Sequence, residues 1–201
     1  MHLVCLDLEG VLVPEIWIEF SRATGISELT RTTRDEPDYS KLMRFRMDIL
    51  DRNGLKLPDI QKVIGGMDPL PGALEFLDEL RSLTQVVILS DTFSQFAQPL
   101  MRKLAWPTLF CNTLEIDTAG RITGFRLRQN DGKRTAVDAF HSMNMKILAA
   151  GDSFNDLSMI RAADSGVLFR SPQAIRDANA DLPAVEQYAD LLSQVKTFLT
   201  R

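Results

Sequence analysis

The chain has 201 residues, of which 45% are hydrophobic and 25% are charged. This composition is ordinary for a folded protein and excludes the collagen-like and intrinsically disordered classes. Its 23 basic and 27 acidic side chains give a net charge of −4, and no basic block occurs, so we expect no nucleic-acid partner. The length allows one core domain that carries a smaller inserted domain.

The beginning of the sequence argues against export and against membrane insertion. Asp7 interrupts the first apolar stretch and no basic segment precedes it, so neither a signal peptide nor a membrane span is predicted. The only two cysteines, Cys5 and Cys111, suggest neither a disulfide framework nor a zinc site. We therefore expect a cytoplasmic protein without a membrane partner.

Four short apolar runs are predicted to be β-strands. In chain order they cover residues 3–6, 86–89, 147–150 and 167–169. Segments with helical spacing of apolar residues separate or follow them, for example residues 93–104 and 191–199. Continuous apolar strands that alternate with helices indicate a parallel sheet covered on both faces. The predicted fold class is therefore α/β, with a doubly wound parallel sheet.

Two segments depart from this alternation. Residues 14–68 contain helical patterns and no convincing strand, which indicates a small helical cap domain inserted after the first strand. The core domain would then comprise residues 1–13 and 69–201. Residues 114–128 contain two alternating runs separated by residues 118–121, a pattern that is typical of a β-hairpin.

Acidic or polar side chains follow three of the predicted strands. They are Asp7 and Glu9 after the first, Ser90 and Asp91 after the second, and Asp152 and Asp156 after a later one. In open α/β sheets, ligands bind beyond the carboxyl ends of the strands. Because buried carboxylates are costly to desolvate alone, we expect these side chains to share one crevice with a partner of opposite charge.

A hard divalent cation is the partner that this set predicts. Asp7, Asp152 and Asp156 offer only oxygen ligands, which suit Mg²⁺ because this ion keeps several waters and bridges to phosphate. Lys133, in a predicted loop just before a helix, adds a positive charge that can face a phosphoryl oxygen. Ser90 is predicted to open a helix whose N-terminal amides favour an anion. Together these features predict a phosphate pocket.

Several of these residues also have a purely structural interpretation. Asp91 could be the N-cap of the following helix rather than a ligand, and Asp152 or Ser153 could cap another helix. Lys133 alone would ordinarily be a solvated surface lysine. Two acids directly after a buried strand are harder to explain structurally, so the joint pattern favours the functional interpretation.

The four motifs together resemble the haloacid dehalogenase superfamily of phosphotransferases. The first is DLEGV at residues 7–11, the second is Ser90, the third is Lys133, and the fourth is GDSFND at residues 151–156. The helical insertion is similar to the cap of phosphoserine phosphatases. The similarity is greatest to a bacterial branch that also transfers phosphate from phosphoserine to homoserine. In one departure from the superfamily, Glu9 occupies the position of its usual second aspartate.

The resemblance implies roles for the acidic residues. Asp7 would be the nucleophile that forms an aspartyl-phosphate, and Glu9 would be the general acid and then the general base. The side chains of Asp7 and Asp152 and the backbone carbonyl of Glu9 would bind Mg²⁺. Asp156 would hold Asp152 in place without binding the ion itself.

Contacts to the substrate are expected from Glu15, Arg46, Ser90, Asp91, Lys133 and Asn155. Arg46 has support that needs no relative, because it falls on the apolar stripe of a predicted cap helix. There it would either snorkel at the edge of the stripe or face the crevice and bind a substrate carboxylate with two hydrogen bonds. Glu15 would face an ammonium group of the substrate, or would be an ordinary first-turn acid.

The predicted activity is Mg²⁺-dependent hydrolysis of phosphoserine, with transfer to homoserine as a second reaction; monomer and homodimer stay open. Three other functions fit part of the pattern. A receiver-type phosphoacceptor domain would carry its accepting aspartate on a middle strand, not on the first. A nucleotide-binding module would need a glycine-rich loop after a strand, and none is present. A phosphatase of the same superfamily that acts on another small phosphorylated metabolite is the third.

Overall fold

A seven-stranded β-sheet forms the centre of the protein. The structure is a computed structural model that describes residues 1–33, 35–36 and 38–201. The strands are β1 His2–Leu6, β2 Gln85–Phe93, β3 Thr108–Ile116, β4 Ile122–Arg126, β5 Lys146–Gly151, β6 Ser165–Phe169 and β7 Ala184–Val185. Their spatial order is β4-β3-β2-β1-β5-β6-β7. Strand β4 pairs antiparallel with β3, and the other neighbouring pairs are parallel.

Helices precede or follow most of the strands along the chain. They are α1 Ile16–Thr24, α2 Tyr39–Arg52, α3 Leu57–Gly66, α4 Ala73–Leu83, α5 Ser94–Lys103, α6 Gly132–Ser142, α7 Leu157–Ala162, α8 Gln173–Ala178 and α9 Tyr188–Leu199. Short 3₁₀ helices cover Ser27–Thr30 and Phe154–Asp156. None of the helices in the described part of the chain has the length and apolar character needed to cross a bilayer.

The hydrophobic core has two parts, one on each face of the sheet. Val4 and Leu6 of β1 belong to one buried cluster, together with residues of α4, α5 and α9. Leu3 and Cys5 belong to the other, together with residues of α6, α7 and α8. Because neighbouring residues of a strand point to opposite faces, a strand buried on both sides must be apolar throughout. The burial of β1 on both faces, each covered by helices, confirms the predicted doubly wound α/β fold.

The predicted strands and hairpin are all present, but the sheet is larger than predicted. The hairpin consists of β3 and β4, and the first half of β3 also pairs in parallel with β2. That half was not predicted as a strand because its residues are mostly half-exposed and carry no clear alternation. Strand β7, only two residues long, was also not predicted.

Strand β2 is longer than predicted, which moves the start of the next helix. After a register shift beyond Leu89, Phe93 still pairs with Asn112 of β3. Helix α5 therefore begins at Ser94, with Phe93 as its N-cap residue. The predictions that Ser90 opens a helix and that Asp91 could cap one are both wrong. Lys133 was also misplaced, since it lies in the first turn of α6 and not in a loop.

The segment between β1 and α4 is helical, as predicted. It contains α1, α2, α3 and one 3₁₀ helix, and none of the residues 14–68 that the structure describes lies in a strand. The boundaries of a separate cap domain at residues 14 and 68 stay a prediction.

Candidate active site

The carboxyl ends of three adjacent strands bring the motif residues together. Strand β1 lies between β2 and β5, so Asp7, Ser90 and Asp152 meet at one edge of the sheet. A cavity of about 290 Å³ opens there. Among the residues that line it are Asp7, Glu9, Glu15, Arg46, Ser90, Asp91, Lys133, Asp152 and Asn155. These are all the predicted site residues except Asp156, which is fully buried.

The acids at this edge fit a divalent cation. Asp7, Asp152 and Asp156 each present a carboxylate oxygen, and these oxygens lie within 4.8 Å of one another. All three residues are buried. Burial, helped by the charges of Asp156 and Glu15, raises the pKa of Asp152 to about 7. A buried donor set made only of carboxylate oxygens suits a hard cation such as Mg²⁺, whose charge would remove this electrostatic cost.

A glycine makes room for the Asp152 carboxylate. Gly10 has a φ of +76°, and a Cβ atom at this position would lie 2.5 Å from Cγ of Asp152. The motif therefore needs glycine both for the left-handed backbone and for the close approach of the carboxylate.

Asp156 is held by hydrogen bonds on both carboxylate oxygens. Its Oδ2 accepts hydrogen bonds from the amides of Asp152 at 3.0 Å and Ser153 at 2.9 Å, and from the Ser153 hydroxyl at 2.8 Å. Its Oδ1 accepts one from Lys133 Nζ at 2.6 Å. These bonds fix the loop that carries Asp152, which supports the predicted orienting role. Ser153 is the N-cap of the 3₁₀ helix, so one of the predicted caps is present.

Lys133 lies between three carboxylates and is only 3% exposed. Its Nζ lies 2.6 Å from Asp156 Oδ1, 3.0 Å from Asp7 Oδ1 and 3.8 Å from Asp91 Oδ2. Burial alone would lower the pKa of Lys133, but the charges of Asp156, Asp7 and Asp91 outweigh it and raise that pKa. The side chain is therefore a buried ammonium group, and the surface-lysine alternative is wrong.

The surroundings of Asp7 disfavour its negative charge. Its Oδ1 accepts one hydrogen bond of 2.7 Å from the Leu8 amide and also forms the ion pair with Lys133. Burial and the charges of Asp156 and Asp152 nevertheless raise the pKa of Asp7, although Lys133 opposes them. The site thus concentrates more negative charge than its one lysine balances.

Glu9 links the motif to the first helix of the insertion. Its Oε2 accepts a hydrogen bond of 2.9 Å from the amide of Ile16, the first residue of α1. Burial, assisted by the charge of Glu15, raises the pKa of Glu9 to about 8. A carboxyl that keeps its proton near neutral pH suits the predicted general acid. Its bond to Ile16 was not predicted from the sequence.

Arg46 points inward from α2 and is 6% exposed, so the snorkelling alternative is wrong. Its NH2 group donates to the carbonyl of Arg31 at 2.8 Å, and its Cζ lies 4.6 Å from the ring centroid of Trp17. Among the described residues, no acceptor pairs with its buried Nε, and no carboxylate lies within ion-pair distance. Burial lowers the pKa of Arg46 to about 10. The cavity wall therefore holds a desolvated cation that forms no ion pair with a carboxylate of the described residues.

The remaining predicted contacts also line the cavity. Glu15 directly precedes α1, where it is the N-cap residue without a side-chain capping bond. Asn155 donates a hydrogen bond of 2.9 Å to Asp91 Oδ2 and accepts one of 2.7 Å from the Ser153 hydroxyl. Ser90 is buried, and its Oγ accepts a hydrogen bond of 3.2 Å from the Thr92 amide.

Three aromatic residues of the cavity wall, Trp17, Tyr39 and Phe93, were not predicted to line it. Trp17 stacks on Arg46, and Tyr39 lies at the start of α2. Tyr39 could have been found, because it precedes Leu42 and Arg46 by three and seven residues and continues their stripe. A second cavity of about 700 Å³ adjoins the first and shares Thr33, Tyr39, Asp91, Lys133 and Asn155 with it. Nothing in the sequence indicated this second space.

Comparison with known proteins agrees with the motifs. Residues 1–164 match the family of haloacid dehalogenase-like hydrolases. The chain belongs to this family. It is 56% identical over 191 residues to "Phosphoserine phosphatase ThrH" of Pseudomonas aeruginosa, covering 95% of this chain and 93% of that protein. It is 53% identical to "Phosphoserine phosphatase" of Pseudomonas syringae pv. tomato, covering 95% and 81%.

Solved structures support the fold of this haloacid dehalogenase-like protein. One is titled "Phospho-Aspartyl Intermediate Analogue of Phosphoserine phosphatase"; it has a TM-score of 0.79 and 22% identity, covering 96% of this chain and 98% of that one. Another, a substrate-bound phosphoserine phosphatase complex, has a TM-score of 0.78 and 21% identity, covering 96% and 97%. At these identities the likeness concerns the fold alone.

Proposed function

We propose that this protein is a Mg²⁺-dependent phosphoserine phosphatase that works through an aspartyl-phosphate on Asp7 and also transfers the phosphoryl group to homoserine. One observation carries the choice of substrate: the buried guanidinium of Arg46 has no carboxylate partner among the described residues, and it lines the same small cavity as Asp7 and Lys133. A substrate that carries both a phosphate and a carboxylate would place its phosphate beside Asp7 and Lys133 and its carboxylate beside Arg46. The names of the two Pseudomonas relatives support this choice.

In the first half of the reaction, a carboxylate oxygen of Asp7 attacks phosphorus. The new O–P bond forms as the bond between phosphorus and the seryl oxygen breaks. Glu9, whose raised pKa keeps it protonated, donates its proton to the departing oxygen. Lys133 and Ser90 hold the equatorial phosphoryl oxygens, so that the chain supplies mainly positioning and charge.

In the second half, water or the hydroxyl group of homoserine attacks the phosphoryl group on Asp7. Glu9, now ionised, takes the proton of the attacking hydroxyl as general base. The bond from phosphorus to Asp7 breaks and the carboxylate is restored. Hydrolysis and transfer thus use the same residues and differ in which hydroxyl occupies the place of the departed serine.

The side chains of Asp7 and Asp152 and the backbone carbonyl of Glu9 would hold Mg²⁺. A bound Mg²⁺ ion supplies positive charge that offsets the charge of the transferring phosphoryl group. Asp156 keeps its place beside Asp152 through the hydrogen bonds to the loop amides. Asp152 rather than Asp156 is therefore assigned to the ion, because the carboxylate oxygens of Asp156 already accept hydrogen bonds from Lys133 and the loop amides.

The amino-acid part of the substrate would lie against the helical insertion. Arg46 binds the carboxylate with two parallel hydrogen bonds, Glu15 faces the ammonium group, and Asn155 donates a hydrogen bond to the substrate. We propose on this basis that residues 14–68 act as a cap over a core of residues 1–13 and 69–201, which excludes water during the first step.

Comparison of two substrates tests the proposal. Arg46→Ala should lower kcat/KM for phosphoserine at least about tenfold, the effect of 1.4 kcal/mol of lost binding, and should affect phosphoethanolamine, which lacks the carboxylate, far less. Arg44→Ala is the matched control, because Arg44 is exposed on the same helix. Equal losses on both substrates would contradict the proposal. A superfamily phosphatase for another metabolite would instead show no preference for phosphoserine in the unchanged protein.

A further inference from the structure

The hydroxyl group of Tyr39 joins the helix of Arg46 to the phosphate end of the cavity. It donates a hydrogen bond of 2.7 Å to the backbone carbonyl of Asp91, which is 52 residues away in the chain. The side chain of Asn112 donates to the same carbonyl at 3.0 Å. Asp91 directly follows Ser90, so this bond connects the insertion to the end of β2 that carries the motif serine.

The ring of Tyr39 is held independently of its hydroxyl. It lies 6.5 Å from the ring centroid of Phe93 and 6.3 Å from that of Phe125, the latter in an edge-to-face arrangement. Such pairs stabilise through the rings themselves. Replacing Tyr39 by phenylalanine therefore removes one hydrogen bond and leaves the aromatic packing in place.

Helix geometry relates this bond to Arg46. Tyr39 and Arg46 are seven residues apart on α2, which is about two turns, so their side chains share one face of the helix. At 1.5 Å per residue the two positions are separated by about 10 Å along the axis. The hydrogen bond of Tyr39 therefore ties the face of α2 that carries Arg46 to the residue directly after Ser90.

We propose that Tyr39 is a positioning residue that sets the distance between the carboxylate-binding and phosphate-binding ends of the cavity. It makes the cavity selective for a phosphomonoester of the length of phosphoserine that carries a carboxylate. The inference rests on the proposed function and deepens it. Its effect acts through Arg46, since Tyr39 itself contributes no charge to the substrate.

The test measures the selectivity ratio, which is kcat/KM for phosphoserine divided by kcat/KM for phosphoethanolamine. Tyr39→Phe should lower this ratio about three- to tenfold, mainly by raising KM for phosphoserine. Tyr188→Phe is the matched control: Tyr188 is the only other tyrosine, and its hydroxyl donates to the carbonyl of Val11 at 2.6 Å, outside the insertion. Any effect of that control should be equal for the two substrates.

A double-mutant cycle separates positioning from a general structural role. In the Arg46→Ala background, Tyr39→Phe should leave the ratio unchanged, because the group that it positions is absent. A Tyr39→Phe variant that loses activity equally on both substrates, or whose effect on the ratio adds fully to that of Arg46→Ala, would overturn the inference. If Arg46→Ala alone does not change the ratio, the proposed function fails as well; a ratio that responds to Arg46→Ala but not to Tyr39→Phe overturns only the inference.

Discussion

At the scale of single residues, the site gathers charges that are costly for folding. Asp7, Asp152 and Asp156 share one small volume with Lys133, and burial and mutual repulsion raise the pKa values of Asp7 and Asp152. A raised pKa of an acid means that ionisation costs more in the folded protein than in the unfolded chain. Function and stability therefore oppose each other at these positions.

The substitution Asp7→Asn should separate the effect of this carboxylate on activity from its effect on stability. We expect loss of turnover, because an amide cannot form the aspartyl-phosphate, together with an unchanged or higher Tm in EDTA, because one repelling charge is removed. Mg²⁺ should stabilise the variant less than the unchanged protein, since a ligand is lost. Thermal unfolding with EDTA and with Mg²⁺ measures this, and Asp48→Asn, at an exposed acid of α2, is the control. A lowered Tm in EDTA would contradict the account of the charges.

Glu9 is expected to combine a structural bond with a catalytic proton. Glu9→Gln can still accept the hydrogen bond from Ile16 but cannot donate a proton as an acid. We expect an unchanged Tm and a fall in kcat of about 10²- to 10⁴-fold, the usual contribution of a general acid. Activity close to that of the unchanged protein would refute the assignment.

The length of the Glu9 side chain gives a further prediction. Glu9→Asp keeps the acid but moves it, so the place where the proton is delivered shifts. With phosphoserine and homoserine supplied together, the ratio of phosphohomoserine to free phosphate should change. An unchanged ratio would count against a role of Glu9 in choosing between water and an alcohol.

At the scale of elements, the turn after β1 decides how closely the end of β1 approaches Asp152 at the end of β5. Gly10→Ala would place a methyl group 2.5 Å from Asp152 Cγ, so we expect lost activity and weaker binding of Mg²⁺. Gly25→Ala is the control, because Gly25 has a similar φ of +72° but nothing within 4 Å of the added atom. Both variants should lose about 1 kcal/mol of stability from backbone strain. Activity assays and calorimetric Mg²⁺ titration compare them, and equal Mg²⁺ affinities would contradict the steric argument.

Also at this scale, strand pairing overrode the local sequence signal at the end of β2. Ser90 and Asp91 resemble the start of a helix, since serine and aspartate are favoured caps. Pairing of Phe93 with Asn112 of β3 instead keeps the chain extended for three more residues. The helix start was therefore mispredicted, because the partner strand that decides it lies about 20 residues further along the chain.

At the scale of the whole molecule, the raised pKa values predict how stability depends on pH. Burial raises the pKa of Asp152 from 3.8 to about 7 and that of Glu9 from 4.5 to about 8. Between the ordinary and the raised values, the folded protein binds more protons than the unfolded chain, so the free energy of unfolding falls as pH rises. Each such carboxyl contributes about 1.4 kcal/mol per pH unit.

We therefore expect the protein in EDTA to lose stability between about pH 4 and pH 8. Mg²⁺ should reduce this loss, because it binds the ionised carboxylates of the folded state. Urea unfolding at pH 5, 6, 7 and 8, with and without Mg²⁺, measures both effects. A stability that rises through this range in EDTA would show that Lys133 outweighs the repulsion among the acids.

Much of the fold and of the candidate site was predictable from local features. The apolar runs of β1 and β5 must be buried on both faces, and Asp7 and Asp152 at their ends must meet because parallel strands end at the same edge. Helical spacing placed Arg46 on the apolar stripe of its helix but left open whether its side chain enters the cavity. Trp17, Asn112 and the second cavity were not predicted, because each depends on contacts between segments that are distant in the chain.

The sequence by itself determined the α/β class, the order of the motifs and the residue types of the candidate site, since hydrophobic periodicity and strand-end acids are local properties. Only the tertiary structure decided that Lys133 is buried among three carboxylates, that Glu9 accepts a hydrogen bond from the first residue of α1, and that the Tyr39 hydroxyl donates to the carbonyl of Asp91. The physical reason is that burial and charge pairing depend on distances through space, which residues acquire only when the sheet and the helical insertion pack together.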